Sequence, residues 1–427
     1  MSPLILALVP GQRFLIRTNT ISNILSFSHI GIVSCHLSSS SNKEYISSST
    51  TLLSPKSYVS SKSVLMLGET TPENVRERIA KRVTERNSWS SFYVHTFKDA
   101  MKFFTSTPAP IPSQAVLDKE FPIQDVDFNL LRFPTSDLQV TWIGHSTVLL
   151  QIHKQVNILT DPIFSQRCSP SQLFGPKRFR PPALTVNDLV REGIPIHAVL
   201  ISHNHYDHLD YHSIRELASS SNLMAMNNAK IQFVVPLGLK RWMEKNVPKS
   251  VQQHSTVELD WHESCLLSVN DQLTIEITAL PMLHWSSRMG WDRDETLWCG
   301  FAITSTNKQH EDVRKKVLFP GDTGWFEELN DIGERYGPFD LAAIPIGAYE
   351  PRDFMKLHHL NPEEAVMMMK AVRAKNALPI HWGTFQLTLK PVLEPRERLI
   401  QASKDAKLNE SSFQPRLIGE TFIVHDE

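Results

Sequence analysis

Two periodicities divide the chain. From Thr71-Pro72-Glu73 onward, a capping residue, a proline at the first helical position and an early acid mark a helix start. Val75, Ile79 and Val83 then recur every four residues, a narrow apolar stripe on a charged helix. The next stretch is aromatic (Trp89, Phe92, Tyr93, Phe97, Phe103, Phe104) and runs into Pro108, Pro110 and Pro112. It reads as an N-terminal arm packed on the main domain, with membrane contact as the alternative. From about residue 125, short β-like runs alternate with helical stretches. Strands are expected at Val140–Ile143, Val148–Ile152, Val156–Leu159, Ala198–Ile201, Phe233–Val235, Thr274–Ala279, Phe301–Ile303, Val317–Phe319, Leu341–Ile344, Leu378–Ile380 and Phe422–Val424. Helices fit Leu209–Ser219, Leu239–Lys245, Phe326–Tyr336, Pro362–Ala374 and Pro395–Ala406. So many short strands with helices between them suit two sheets covered by helices.

Several apolar runs end on residues that bind metal. Ala198–Ile201 leads to His203-Asn204-His205-Tyr206-Asp207-His208, four metal-competent side chains on one tight loop. Neutral imidazole suits zinc, and a carboxylate adds charge compensation. Packing explains the motif poorly, because each buried imidazole needs a polar partner. Three later runs follow the same grammar: Thr274–Leu280 leads to His284, Val317–Phe319 to Asp322, and Leu378–Ile380 to His381. Ligands at strand ends can converge on one edge of a sheet pair, where rigid elements hold them. Seven side chains exceed what one tetrahedral zinc uses, so two metals are implied. Asp161, after Val156–Leu159, is the candidate partner that fixes a ligating histidine's tautomer, against the plainer reading of an Asp-Pro turn. Tyr206 lies inside the metal loop and either meets substrate or packs.

Charge and composition narrow the function. Residues 1–68 hold 17 serines and five Lys/Arg against one acid, a charge of +4 that leaves −5 for residues 69–427 of a chain whose formal charge is −1. Such a start reads as an organelle transit peptide, a disordered extension, or a leader bypassed by initiation at Met66. With a −5 body and no aromatic-basic strand-binding module, nucleic acid is not an expected partner. No apolar run reaches the roughly 20 residues of a bilayer-spanning helix. Four scattered cysteines without a C-x-x-C pair exclude a zinc ribbon and suit a reducing compartment. Histidine stands out, at 18 residues.

The H-x-H-x-D-H motif over 203–208 resembles the metallo-β-lactamase superfamily. Longer stretches are similar to the family of phospholipases D that hydrolyse N-acyl-phosphatidylethanolamine. They include Gly175-Pro176-Lys177-Arg178-Phe179-Arg180, Ala198 through Tyr211, Gly337 through Pro351, Asn361 through Ala365 and Ile380 through Phe385. The resemblance covers roughly residues 125–425. It implies an α/β fold, an αββα sandwich of two mixed sheets flanked by helices, with residues 69–124 as the N-terminal arm and 125–427 as the hydrolase domain. It assigns His203, His205 and His284 to one zinc, and Asp207, His208 and His381 to the other, with Asp322 bridging. It implies hydrolysis of N-acyl-phosphatidylethanolamine to an N-acylethanolamine and phosphatidic acid. Asp322 and His359 would act in catalysis, and Tyr206, His359 and Gln172 would contact substrate.

The resemblance also implies a phospholipid partner and peripheral attachment to endomembranes of Golgi or endosome type, and it allows a homodimer. The leader offers mitochondrial targeting as the alternative address. The chain departs from the family at Leu173, where mammalian members have an aromatic residue, and in Trp285-Ser286-Ser287-Arg288-Met289, where serine stands at the position of a bile-acid-contacting lysine. Phe164, Leu173, Phe174 and Phe179, interleaved with Arg167, Lys177, Arg178 and Arg180, suit acyl chains beside phosphate-facing cations or a solvated basic loop. Leu223–Met226 is a second candidate for interfacial insertion. His145 reads as a structural histidine beside the first sheet, and His358 as a spectator. A lactonase-like hydrolase of the same superfamily and a non-catalytic zinc-bearing lipid-binding protein are the alternatives.

Overall fold

The computed structural model describes residues 71–92, 107–220, 231–247, 254–307 and 314–425. The Ser-rich leader, the aromatics Tyr93, Phe97, Phe103 and Phe104, and Leu223–Met226 lie outside the described residues. The first sheet has the order β13-β1-β2-β3-β4-β5-β6: β1 (Leu138–Gly144), β2 (Thr147–Ile152), β3 (Val156–Thr160), β4 (Ala198–Leu200), β5 (Ile231–Pro236), β6 (His254–Leu259) and β13 (Thr421–Ile423). The second has the order β12-β11-β10-β9-β8-β7: β7 (Ser264–Ser268), β8 (Leu273–Leu280), β9 (Gly300–Asn307), β10 (Lys316–Phe319), β11 (Phe339–Pro345) and β12 (Ala374–Ile380). Both sheets are mixed. Strands β3 to β6 and β10 to β12 pair in parallel, and the remaining pairs are antiparallel.

Helices flank the sheets: α1 (Pro72–Ser88), α2 (Gln114–Glu120), α3 (Phe128–Arg132), α4 (Val186–Arg191), α5 (Tyr211–Ser219), α6 (Lys240–Asn246), α7 (Leu329–Arg335), α8 (Arg352–Met355), α9 (Pro362–Ala371) and α10 (Glu394–Asp405). Alternate residues of single strands serve different cores. Val148, Leu150, Ile158, Ala198 and Leu200 join the core shared with Ile275, Ile277, Phe301 and Val317 of the second sheet. Leu149, Leu159, Val199 and Phe233 pack instead with Leu189, Leu217 and Met243 of α4, α5 and α6. Burial on both faces explains why these strands read as unbroken apolar runs. Each such aliphatic side chain contributes about 1.5–3 kcal/mol.

Some elements differ from expectation. β6 and β7, each at a sheet edge, read weakly: β6 mixes Ser255, Thr256 and Glu258 with Val257, and β7 has only Cys265–Leu267 between two serines. The helix expected to reach Ala374 stops at Ala371. Arg373 adopts φ +59°, and β12 starts one residue later. The short helices α2, α3, α4 and α8 have too few residues to show a period. α4 announces itself only by its Thr185/Asp188 capping box.

α1 begins where Thr71 caps the Asn74 N–H, and it is fixed to the domain by charge as well as by its apolar stripe. Arg78 meets Asp260 at 2.9 Å and Glu263 at 2.6 Å, and Arg82 meets the buried Asp260 at 2.9 Å. Beyond its end, Trp89 stacks on Trp261 and Phe326 with centroids 5.7 and 4.6 Å apart.

His197, just before β4, ties pH to stability. The Asn157 N–H donates to its Nδ1 at 3.0 Å, which requires a neutral ring, and burial lowers its pKa to about 4. The folded state therefore binds this proton more weakly than the unfolded chain. The contribution is complete above about pH 6.5 and is lost as pH falls towards 4, by up to about 3 kcal/mol. Urea unfolding of the parent and of His197→Asn should show a smaller acid-induced loss in the variant. Identical pH dependences would remove His197 from this account.

Candidate metal centre

Four strand ends deliver the site. β4 runs through Ser202 into His203, while the loops after β8, β10 and β12 carry His284, Asp322 and His381. The first belongs to one sheet and the other three to its partner, so the cluster straddles an edge common to both. The 203–208 loop is wound tightly, with the N–H groups of His208 and Leu209 both donating to the His205 carbonyl at 3.1 and 2.8 Å. Gly321 (φ +62°) lets the Asp322 loop approach, since a Cβ there would lie 2.4 Å from that of Ser202. At Gly347 a Cβ would lie 2.0 Å from the His381 carbonyl oxygen.

The seven side chains singled out as ligands meet in two groups with one carboxylate between them. Nε2 of His203 lies 2.8 Å, and Nε2 of His284 3.3 Å, from Nδ1 of His205. In the second group, Nε2 of His208 and of His381 each lie 3.3 Å from Asp207 Oδ2 and 3.1 Å from Asp322 Oδ2. That same Asp322 oxygen is 4.0 and 3.9 Å from Nε2 of His203 and His284.

Hydrogen bonds set the tautomers. Asp161, fully buried, accepts from His208 Nδ1 at 2.6 Å, from Ser202 Oγ at 2.5 Å and from Ser202 N at 2.7 Å. Because Ser202 gives its proton to Asp161, its oxygen accepts from His203 Nδ1 at 2.9 Å. His284 Nδ1 donates to the His358 carbonyl at 3.0 Å. With these Nδ1–H groups committed, the Nε2 atoms of neutral His203 and His284 present lone pairs to the cluster, and that of His208 faces the carboxylates of Asp207 and Asp322.

The two groups differ in charge. Burial lowers the pKa of His205 to about 4 and holds His203 and His284 well below the ordinary imidazole range, with neighbouring imidazoles adding to the effect. Burial opposes charge on His208 and His381 too, but Asp322 and Asp207 outweigh it. His381 rises to about 9 and His208 well above its usual value. The same imidazoles overcome burial at Asp207 and Asp322 and hold both carboxyls well below the normal range. These residues fit metal ions. Nitrogens of three imidazoles converge within 2.8–3.3 Å, as ligands around a shared cation do, and Asp322 Oδ1 and His205 Nε2 are buried without a hydrogen-bond partner.

The remaining candidates are distributed unevenly. His359 is in the cluster: its Nδ1 lies 3.7 Å from Asp322 Oδ2 and is buried without a hydrogen bond, and its ring stacks on His381 at 5.2 Å. Tyr206 lies beneath the Arg288 guanidinium, 4.0 Å from its ring centroid. Gln172 is engaged elsewhere, its amide accepting from Arg167 N and donating to Arg167 O, both at 3.0 Å.

Two residues were not anticipated in the site. His145, read from sequence as structural, puts Nε2 2.9 Å from Asp207 Oδ2, and its carbonyl accepts from His381 N at 3.0 Å. Its signal was present, since Gly144-His145 also follows an apolar run. Arg288 Nη1 bridges the carbonyls of Asn204 and Leu209 at 2.9 and 2.7 Å, bracing both ends of the metal loop. Nothing in the sequence around it announces that role.

Asp161→Asn removes the charge that receives His208 and, through Ser202, His203. Loss of such a partner typically costs 10–100-fold in metal affinity. Competition of the full chain against a chromophoric chelator for zinc should show a loss of about that size, whereas parent-like affinity would leave Asp161 as a turn residue.

Known proteins resemble this chain. The Beta-lactamase superfamily domain matches residues 156–382. N-acyl-phosphatidylethanolamine-hydrolyzing phospholipase D 1 of Caenorhabditis elegans is 40% identical over 325 residues, covering 74% of this chain and 84% of that protein. The mitochondrial N-acyl-phosphatidylethanolamine-hydrolyzing phospholipase D of Saccharomyces cerevisiae is 33% identical over 280 residues, 65% of this chain and 54% of that one. Among solved structures, the metallo hydrolase Igni18 of Ignicoccus hospitalis aligns with a TM-score of 0.45 at 22% identity, over 67% of this chain and 97% of that one. The chain belongs to the metallo-β-lactamase superfamily of metal-dependent hydrolases and, within it, to the N-acyl-phosphatidylethanolamine-hydrolysing phospholipase D family.

Proposed function

We propose that the protein is a di-zinc phosphodiesterase that hydrolyses N-acyl-phosphatidylethanolamine to an N-acylethanolamine and phosphatidic acid. The observation that carries this reading is the position of Asp322 Oδ2 between a three-histidine group and an Asp-His-His group. The named activity of the worm and yeast relatives supports the substrate class.

His203, His205 and His284 would hold one ion, and Asp207, His208 and His381 the other, with Asp322 serving both. Two zinc ions bound there would polarise phosphoryl oxygens and acidify water, so the reaction needs no side-chain nucleophile. The described cysteines agree with that, since burial raises the Cys265 thiol to about 12 and those of Cys168 and Cys299 well above the usual range. His359 offers a free buried nitrogen beside Asp322 and would hold a phosphoryl oxygen by hydrogen bonding. Tyr206, held under Arg288 beside the candidate metal loop, would contact the substrate there. Leu173 and Phe174 are exposed on the loop that pairs Arg167 with Lys177, a composition suited to contact with an anionic bilayer surface. No helix among the described residues is long and apolar enough to cross a membrane. The yeast relative's mitochondrial name and the serine-rich +4 leader favour a mitochondrial address for this chain.

The purified chain, given N-acyl-phosphatidylethanolamine in mixed micelles, should release both products. Chelation should abolish the reaction and zinc should restore it. Intact lipid with zinc loaded, or release of fatty acid instead, would overturn the assignment. His359→Ala should keep its metal content while kcat falls by roughly 10²-fold, the usual effect of removing one transition-state donor. Undiminished kcat would exclude His359 from the reaction.

A further inference from the structure

α1 carries three arginines at four-residue spacing, and they do different things. Arg78 and Arg82 end on Asp260 and Glu263, which accounts for the docking of the helix. Arg86, only 4% exposed, reaches further. Its Nη1 donates to the main-chain carbonyl of His284 at 2.9 Å, and its Nη2 to Asn87 Oδ1 at 2.8 Å and Asp294 Oδ2 at 3.3 Å. The guanidinium is sandwiched by aromatic rings, 4.8 Å from the Trp298 centroid and 5.1 Å from that of Phe92.

These partners lie at the two ends of one loop. Asp294 closes back on Ser286, accepting from its N–H at 3.2 Å and donating its own N–H to the Ser286 carbonyl at 2.8 Å. Between them sits Arg288, which grips the carbonyls of Asn204 and Leu209 on either side of the histidine loop. His284 is thereby held at its ring by the His358 carbonyl and at its backbone by Arg86. A planar fork can donate to a carbonyl and a carboxylate in fixed directions while its faces stack on two rings, a geometry that the compact ammonium of lysine does not reproduce. The matched superfamily segment begins at residue 156, so this arginine lies outside it.

We propose that Arg86 is a positioning residue for the three-histidine half of the metal centre, and that α1 is therefore part of the catalytic unit. Arg86 fixes the backbone of His284 and the base of the Trp285–Asp294 loop, which in turn braces the His203–His208 loop. The inference rests on the reading of the cluster as a metal centre.

The test compares the full-length parent with Arg86→Met, Arg86→Lys and the control Arg82→Met, which disturbs α1 docking without touching His284. Each protein is stripped with chelator and titrated with Zn²⁺ against a chromophoric competitor. The visible spectrum of its Co²⁺ form and the Tm of its apo form are then recorded. Arg86→Met should bind one ion 10–100-fold more weakly and alter the Co²⁺ spectrum, as loss of a ligand's support does. Arg86→Lys should stay folded and recover only part of that affinity. Arg82→Met should lower Tm with parent-like zinc affinity and spectrum. Zinc affinity within twofold of parent in both Arg86 variants would overturn the proposal, as would an equal loss of affinity in Arg82→Met. If the parent itself binds no zinc, the metal reading falls and this one falls with it.

Discussion

Seven imidazoles (His145, His203, His205, His208, His284, His359 and His381) and the carboxylates of Asp161, Asp207 and Asp322 converge where strand ends of the two sheets meet, most of them buried and only His205 and Asp207 partly open to solvent. Such a group is tolerable only if every buried N–H has an acceptor and every remaining lone pair has a donor or a cation. Asp161 meets the first condition for two of the ligands at once, directly at His208 and through Ser202 at His203. The second condition is what metal ions would satisfy. The neutral three-histidine half and the carboxylate-balanced half are two different solutions to the same burial problem.

The rest of the fold makes that arrangement rigid. Four of the candidate ligands, His203, His284, Asp322 and His381, stand within four residues of the ends of buried strands, so their backbones inherit the precision of two packed sheets. Close approach is bought with small residues and unusual backbone: Gly321 beside Ser202, and His381 itself at φ +62°. Around the ligands a second layer of main-chain carbonyls is held by side chains from distant segments. Arg288 holds those of Asn204 and Leu209, and Arg86 holds that of His284. The site therefore depends on chain well outside the superfamily segment, including α1 and the β1–β2 turn that supplies His145.

Much of this was legible in the residues. Strands buried on both faces announce themselves as apolar runs, and runs ending in histidine or aspartate mark candidate ligand positions, though His153 and Asp161 follow such runs as well. Edge strands β6 and β7 escaped because they mix polar with apolar residues. The one-turn helices escaped because a period needs more than one repeat to be seen. His145 follows the same grammar as the candidate ligands, but a single histidine after a strand also has an ordinary structural explanation.

By itself the sequence determined which side chains stand at strand ends, and with them the superfamily and its chemistry, because strand burial and ligand type are local properties. Only the tertiary structure decided that Gln172 is spent on Arg167, that His145 reaches Asp207, and that Arg86 reaches the His284 carbonyl. Those relations join residues far apart in the chain through backbone carbonyls and shared carboxylates. No spacing in one dimension encodes where such atoms meet.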